Sequence, residues 1–154
     1  MRRAFWRSIG AKGVATHVQS KAKVLVIDDD QDILDTTRLF LESRGYEVLT
    51  AATPDEGSRQ VEEGRPDVVV LDIMMPRQTE GFQWLSKLRH HADMRTRGLP
   101  VIVVSSIHST TSLRFHEGDS DETGDYLPAQ AFLDKPVDPD KLAEKIEAVL
   151  RRAE

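Results

Sequence analysis

From Lys23 onward the hydrophobic pattern switches back and forth between two periods. Positions 24–27 form a continuous apolar run, as in a strand covered on both faces. The stretch 32–44 then sets Ile33, Thr37, Phe40 and Leu41 at i, i+4, i+7 and i+8, which predicts a helix with one inward stripe. Gly45 stands where a left-handed C-terminal cap falls. Positions 46–51 read as a second strand. Thr53, Pro54 and Glu56 make a capping box with proline at the first helical position, so a helix runs over 54–63 until Gly64 and Pro66 stop it. A third strand follows at 68–71. The third helix, 81–92, has Phe82, Leu85 and Leu88 on one stripe and Trp84 in the core. Pro100 opens a fourth strand at 101–104, and a short fifth lies at 131–133. Asp138 and Pro139 cap a last helix whose Leu142, Ile146, Val149 and Leu150 face inward.

Repeated strand-then-helix units imply an α/β fold, a parallel sheet with helices on both faces. One stretch breaks the rhythm. Between Ile107 and Gln130 there is no helical stripe, and 117–125 holds five acids and no base. An irregular, solvated loop is expected there, with the fourth helix shortened or irregular.

The 154 residues fit one domain, with 39% apolar and 31% charged residues, as in an ordinary globular protein. There is no cysteine, which excludes disulfides and thiolate metal sites. No apolar run approaches the length of a membrane span. A cytoplasmic setting and no membrane partner are therefore expected. The net charge of −5 is unevenly spread. Arg2, Arg3, Arg7, Lys12, Lys21 and Lys23 precede the first acid, so the remainder carries a balance of −11. Such a body is a poor nucleic-acid binder. The basic leader lacks the apolar core of a secretory signal. Its Arg-rich, acid-poor composition is similar to that of a transit peptide, but the expectation is a disordered extension over 1–22 ahead of a domain at 23–152.

The strand ends carry the chemistry. Asp28 and Asp29 follow the first strand, Asp72 ends the third, Ser105 the fourth and Lys135 the fifth. In an open parallel sheet these ends share one rim, where ligands bind at the point of strand-order reversal. Three carboxylates at one place either hold a proton or take up a cation, and oxygen-only ligands suit Mg²⁺ or Mn²⁺. Lys135 offers a point charge to a phosphate, and the Ser105 hydroxyl can donate to a phosphoryl oxygen. No glycine-rich phosphate loop is present.

Taken in order, Asp28-Asp29, the LDIMMP segment with Asp72, Ser105 and Lys135-Pro136 resemble the receiver domain of bacterial two-component response regulators, from about Lys23 to Arg152. The resemblance implies a flavodoxin-like doubly wound, five-stranded parallel sheet of order 2-1-3-4-5. It implies that Asp72 becomes an aspartyl phosphate, donated by a sensor histidine kinase or phosphotransfer protein. Asp29 and Asp72, with the Met74 carbonyl, would ligate Mg²⁺, with Asp28 acting directly or through water. Lys135 would pair with the phosphoryl group, Ser105 would swing to contact it, and Phe132 would be the aromatic switch residue that follows.

The chain also departs from the family pattern. The loop between Asp72 and Gly81 is longer, Ser106 replaces a small apolar residue, the stretch from Ser105 to Lys135 is extended, and Pro128-Ala129 replaces Gly-Ala. Only the last helix follows Lys135, so the resemblance implies a stand-alone switch that acts on an unknown downstream protein, with a homodimer possible. It would be a signalling switch that catalyses its own phosphorylation and dephosphorylation. A pseudo-receiver that is never phosphorylated is the alternative, although none of the key residues is missing. An aspartate-nucleophile phosphohydrolase is a third reading, and Met74, where that class has a second aspartate, argues against it.

Overall fold

The computed structural model describes residues 5–9, 16–73, 78–105 and 129–153. Two strands lie in the leader, β1 (Phe5–Ile9) and β2 (Thr16–Ser20), paired antiparallel. They stand where an extension without order is expected from composition.

The body is a parallel sheet of β3 (Lys23–Ile27), β4 (Glu47–Ala51), β5 (Val68–Asp72), β6 (Val101–Ser105) and β7 (Ala131–Asp134). Their order is β4-β3-β5-β6-β7, the 2-1-3-4-5 arrangement expected for these five strands. Between them run α1 (Gln31–Ser43), α2 (Pro54–Gly64), α3 (Gln78–Arg89) and the short α4 (Met94–Arg97), and α5 (Pro139–Ala153) follows β7. The expected loop and shortened helix fall on 106–128, outside the described residues, as does Ser106.

Strand alternation sorts the core into two halves. Leu25, Ile27, Val69, Leu71, Val101 and Val103 pack with Trp84, Leu85 and Leu88 of α3 and Val61 of α2. Val24, Val26, Val68, Val70, Ile102 and Val104 pack with Leu34 and Leu41 of α1 and Leu142, Ile146 and Val149 of α5. Every residue of β5 and β6 is buried, which is why these strands read as unbroken apolar runs.

The caps follow from local chemistry. Thr53 Oγ1 accepts from Glu56 N at 3.1 Å, and the Glu56 carboxylate reaches back to Ala52 N at 3.0 Å. Gly45 takes φ 95°, the left-handed position after α1. The buried stripe of α1 differs from the expected one. α1 buries Leu34 and Leu41, whereas Ile33 is 37% exposed and Thr37 and Phe40 are half-buried. The apolar positions of this helix form two overlapping stripes, and sequence periodicity picked the outer one. α3 begins earlier than expected, at Gln78.

Candidate functional site

The carboxylate rim is assembled by three strand ends on the α1–α5 side of the sheet. Asp28 directly follows β3, and its backbone N–H donates to the Ala51 carbonyl at 3.1 Å, which continues the β3–β4 ladder past the last strand residue. Its carboxylate turns back to accept the Asp30 N–H at 2.9 Å. Asp30 caps α1, accepting from Asp32 N at 2.9 Å, so the triple-aspartate run divides into site residues and a helix cap. Asp72 closes β5, held against β6 by the register Asp72↔Val104 and by the Ile73 N–H bond to the Val104 carbonyl at 3.1 Å.

Gly81 is required next to Asp72 by packing. A Cβ there would lie 2.6 Å from Ile73 Cα, so only glycine lets α3 rest on the backbone that carries Asp72. Lys135 follows β7, its N–H bonded to the Ser105 carbonyl at 3.1 Å. A cis peptide bond joins it to Pro136.

The side chains converge. Lys135 Nζ donates to Asp72 Oδ2 at 3.1 Å and lies 3.6 Å from Asp28 Oδ2. Asp28, Asp29 and Asp72 each offer an oxygen within 4.8 Å of the others. Asp28 and Asp72 are 4% exposed and Ser105 2%, whereas Asp29 is open to solvent. That donor set fits a small divalent cation: three carboxylate oxygens at one place, one of them on the solvent side, with no nitrogen or sulfur donor.

Burial pushes the Asp28 carboxyl up to about 6, and the negative charges of Asp72 and Asp29 add to this. The Asp30 N–H and the Lys135 ammonium pull the other way without cancelling it. At Lys135, burial disfavours the charge, but the Asp72 hydrogen bond and the two carboxylates outweigh it and hold the pKa above its usual value. The site is therefore one proton-sensitive acid, two further acids and a firmly charged ammonium.

Strand alternation separates the remaining two candidates from this group. Phe132 is half-buried and packs on the α2–α3 half of the core. Ser105 shares strand parity with Val101 and Val103 of that half. Phe132 thus lies on the other face, and Ser105, paired with Asp134, stands two rungs along the ladder from the Phe132↔Val103 pair. Met74 lies outside the described residues. His90 and His91 stand apart from the rim, each engaged with local backbone: His90 Nδ1 with Ser86 O, and His91 Nδ1 with Asp93 N.

A cleft of about 340 Å³ opens beside the acids between α1 and α5. Ile33, Thr37, Phe40, Val104, Val137 and Leu142 are among its walls, and Asp28, Asp72 and Lys135 line it as well. Sequence reading gave no sign of it, because it depends on how far the two helices stand apart. Arg89, ending a helix, and Gln130, just before a strand, carry no sequence pattern that would single them out.

Comparison with known proteins gives a consistent answer. The family profile for the response regulator receiver domain matches residues 24–147. The alkaline phosphatase synthesis transcriptional regulatory protein PhoP of Bacillus subtilis is 30% identical over 132 residues, covering 86% of this chain and 50% of that protein. Response regulator Rre1 of Synechocystis is 35% identical over 130 residues, covering 84% of this chain and 52% of that one. The chain thus spans about half the length of the curated relatives it matches. Among solved structures, a response regulator receiver domain protein from Clostridium thermocellum superposes with a TM-score of 0.64 at 32% identity, over 86% of this chain and 96% of that one. A CheY-like receiver domain protein from Methanospirillum hungatei gives 0.64 at 30% identity, over 84% and 94%.

Proposed function

The chain belongs to the response regulator receiver domain family, and from that premise we propose that Asp72 accepts a phosphoryl group from a phosphohistidine on a sensor histidine kinase or phosphotransfer protein. The observation that carries this reading is the contact between Lys135 Nζ and Asp72 Oδ2 at 3.1 Å, in a pocket whose other walls are Asp28 and Asp29. A buried carboxylate already paired with a fixed cation is oriented for attack and needs little reorganisation.

In the transfer, an Asp72 oxygen forms a bond to phosphorus as the bond from phosphorus to the donor imidazole nitrogen breaks. The electron pair leaves with the ring nitrogen. Lys135 remains close enough to neutralise the charge gathered on the phosphoryl oxygens. Asp28, Asp29 and Asp72 would hold Mg²⁺ or Mn²⁺, with the Met74 carbonyl as a further ligand. Such an ion supplies charge neutralisation to the phosphoryl oxygens. Water attack on the same phosphorus later restores the free carboxylate and releases inorganic phosphate, so the phosphoryl state is temporary.

The donor would approach along the cleft between α1 and α5, because that opening leads to Asp72. Ser105 and Phe132 report the change on the opposite face, where the switched surface binds a downstream protein or a second copy of this chain. Residues 23–152 act as the receiver, and Ala22, just before them, already packs in its core. Among the described residues no helix is long and apolar enough to cross a membrane, and a cytoplasmic setting fits the phosphohistidine donor. The acidic body disfavours direct nucleic-acid contact.

Intact-mass measurement after treatment with acetyl phosphate and Mg²⁺ tests this reading. The wild type should gain the mass of one phosphoryl group, labile to base, and Asp72→Asn should gain none. An unmodified wild type, or equal labelling of the variant, would overturn it.

A further inference from the structure

The strand that delivers Lys135 is fixed at its far end. Among the described residues β7 pairs with β6 alone. Its central rungs set Ala131, Phe132 and Leu133 against Ile102, Val103 and Val104, apolar against apolar, so the cross-strand pairs carry no polar marker of register. A slip of one residue would move Lys135 by about 3.3 Å along the strand and turn it to the opposite face. Nζ would then leave Asp72, and Phe132 would leave the α2–α3 core.

Polar bonds at the strand entrance oppose such a slip. Gln130 N donates to the Val101 carbonyl at 2.9 Å, while Gln130 Oε1 accepts the Val101 N–H at 2.7 Å. One residue therefore brackets both backbone groups of Val101, which a neighbouring register would leave unsatisfied. The same Oε1 accepts from Arg89 Nη2 at 2.9 Å. Arg89 Nη1 donates to the carbonyls of Arg97 at 2.9 Å and Leu99 at 2.7 Å, tying the bracket to the end of α3 and to the run into β6. Burial pushes the guanidinium down to about 10, still charged at neutral pH, so these bonds to neutral oxygens are charge-assisted.

We propose that Arg89 and Gln130 are positioning residues that lock the register of β7 and so place Lys135 on Asp72 from the other end of the sheet. This rests on the reading of Lys135 as the phosphoryl partner. The lock is specific in its chemistry. It needs an acceptor oxygen at position 130 and a forked cation at position 89, which a lysine cannot reproduce.

Calorimetric titration with beryllium trifluoride, a phosphoryl mimic, in the presence of Mg²⁺, and with Mg²⁺ alone, tests this. Gln130→Leu and Arg89→Met should weaken the mimic by about ten- to a hundredfold, the scale of one charge-assisted hydrogen bond, with the affinity for Mg²⁺ alone kept or raised as the Lys135 charge leaves the acids. Gln130→Glu keeps the acceptor and should bind like the wild type. Lys135→Met should lose the mimic to the same extent. If Gln130→Leu binds the mimic normally while Lys135→Met does not, the positioning role is wrong and the Lys135 reading stands. If Lys135→Met binds normally, the Lys135 reading fails. Parallel loss of mimic and Mg²⁺ in Gln130→Leu would reduce Gln130 to a general structural residue and overturn the proposal.

Discussion

The two faces of the sheet are built from the same alternating strands but are filled differently. On the α2–α3 side, Trp84, Leu85, Leu88 and Val61 close over the strands, and Trp84 Nε1 donates to Ser58 Oγ at 3.0 Å. On the α1–α5 side, Leu34, Leu41, Leu142 and Ile146 close the lower part, and a cleft of about 340 Å³ remains beside Asp28 and Asp72. Arg44, which stacks on Phe40 at 4.8 Å, bridges α1 to Asp140 of α5 and joins the two helices next to that opening, since Phe40 and Pro139 line it. The difference shows how one sheet can serve two tasks. The groups proposed to react sit beside the cleft, and Phe132, proposed to report the reaction, packs against the apolar cluster of the other face.

The largest expected effect is on the open face. Lys135→Ala should slow adduct formation from acetyl phosphate by about 10²–10³-fold, as removal of a single preorganised charge does. Quantitative intact-mass time courses would show this, and an unchanged rate would mean that the open face holds no chemistry.

Proton linkage at Asp28 gives the second test. Its folded pKa of about 6 lies above the ordinary carboxyl value, so the metal-free folded protein binds this proton more tightly than the unfolded chain. Its contribution to stability is greatest below about pH 4, falls as pH rises towards 6 and is level above that. Asp28→Asn should remove this slope. Without metal at pH 7 it should also be more stable than the wild type by up to about 3 kcal/mol, measured by urea denaturation across pH 4–7. A wild type whose slope matches that of the variant would remove Asp28 from the buried cluster.

The third test is at the seam between the faces. Gly81→Ala forces a methyl group into the Ile73 backbone and should cost about 1–3 kcal/mol in the same denaturation experiment. The smallest and sharpest test exchanges neighbours on one strand. Val103→Ile adds a methylene to the closed face and should cost about 1–2 kcal/mol, whereas Val104→Ile adds it beside the cleft and should stay within about 0.5 kcal/mol. Equal costs would mean that the two faces are packed alike.

Much of this was legible in the chain because strands buried on both sides must be apolar throughout, and caps must carry particular residues. The β5 and β6 runs, the Thr53–Glu56 cap and the glycine after α1 were all readable for that reason. The stripe of α1 was not. Helical spacing alone could not tell whether Ile33 or Leu34 faces the sheet, because that rotation is set by what α5 leaves room for.

The order of acids, hydroxyl and lysine along the sequence was enough to determine which residues could form a site, since parallel strands carry their C-terminal residues to one edge. Tertiary structure alone decided that Asp28, Asp72 and Lys135 face one side while Phe132 packs on the other. It also placed the bracket of Arg89 and Gln130 at the far end of β7. The reason is physical. Side-chain direction alternates with every residue, so which face a group serves depends on register, and register is fixed by partners distant in sequence.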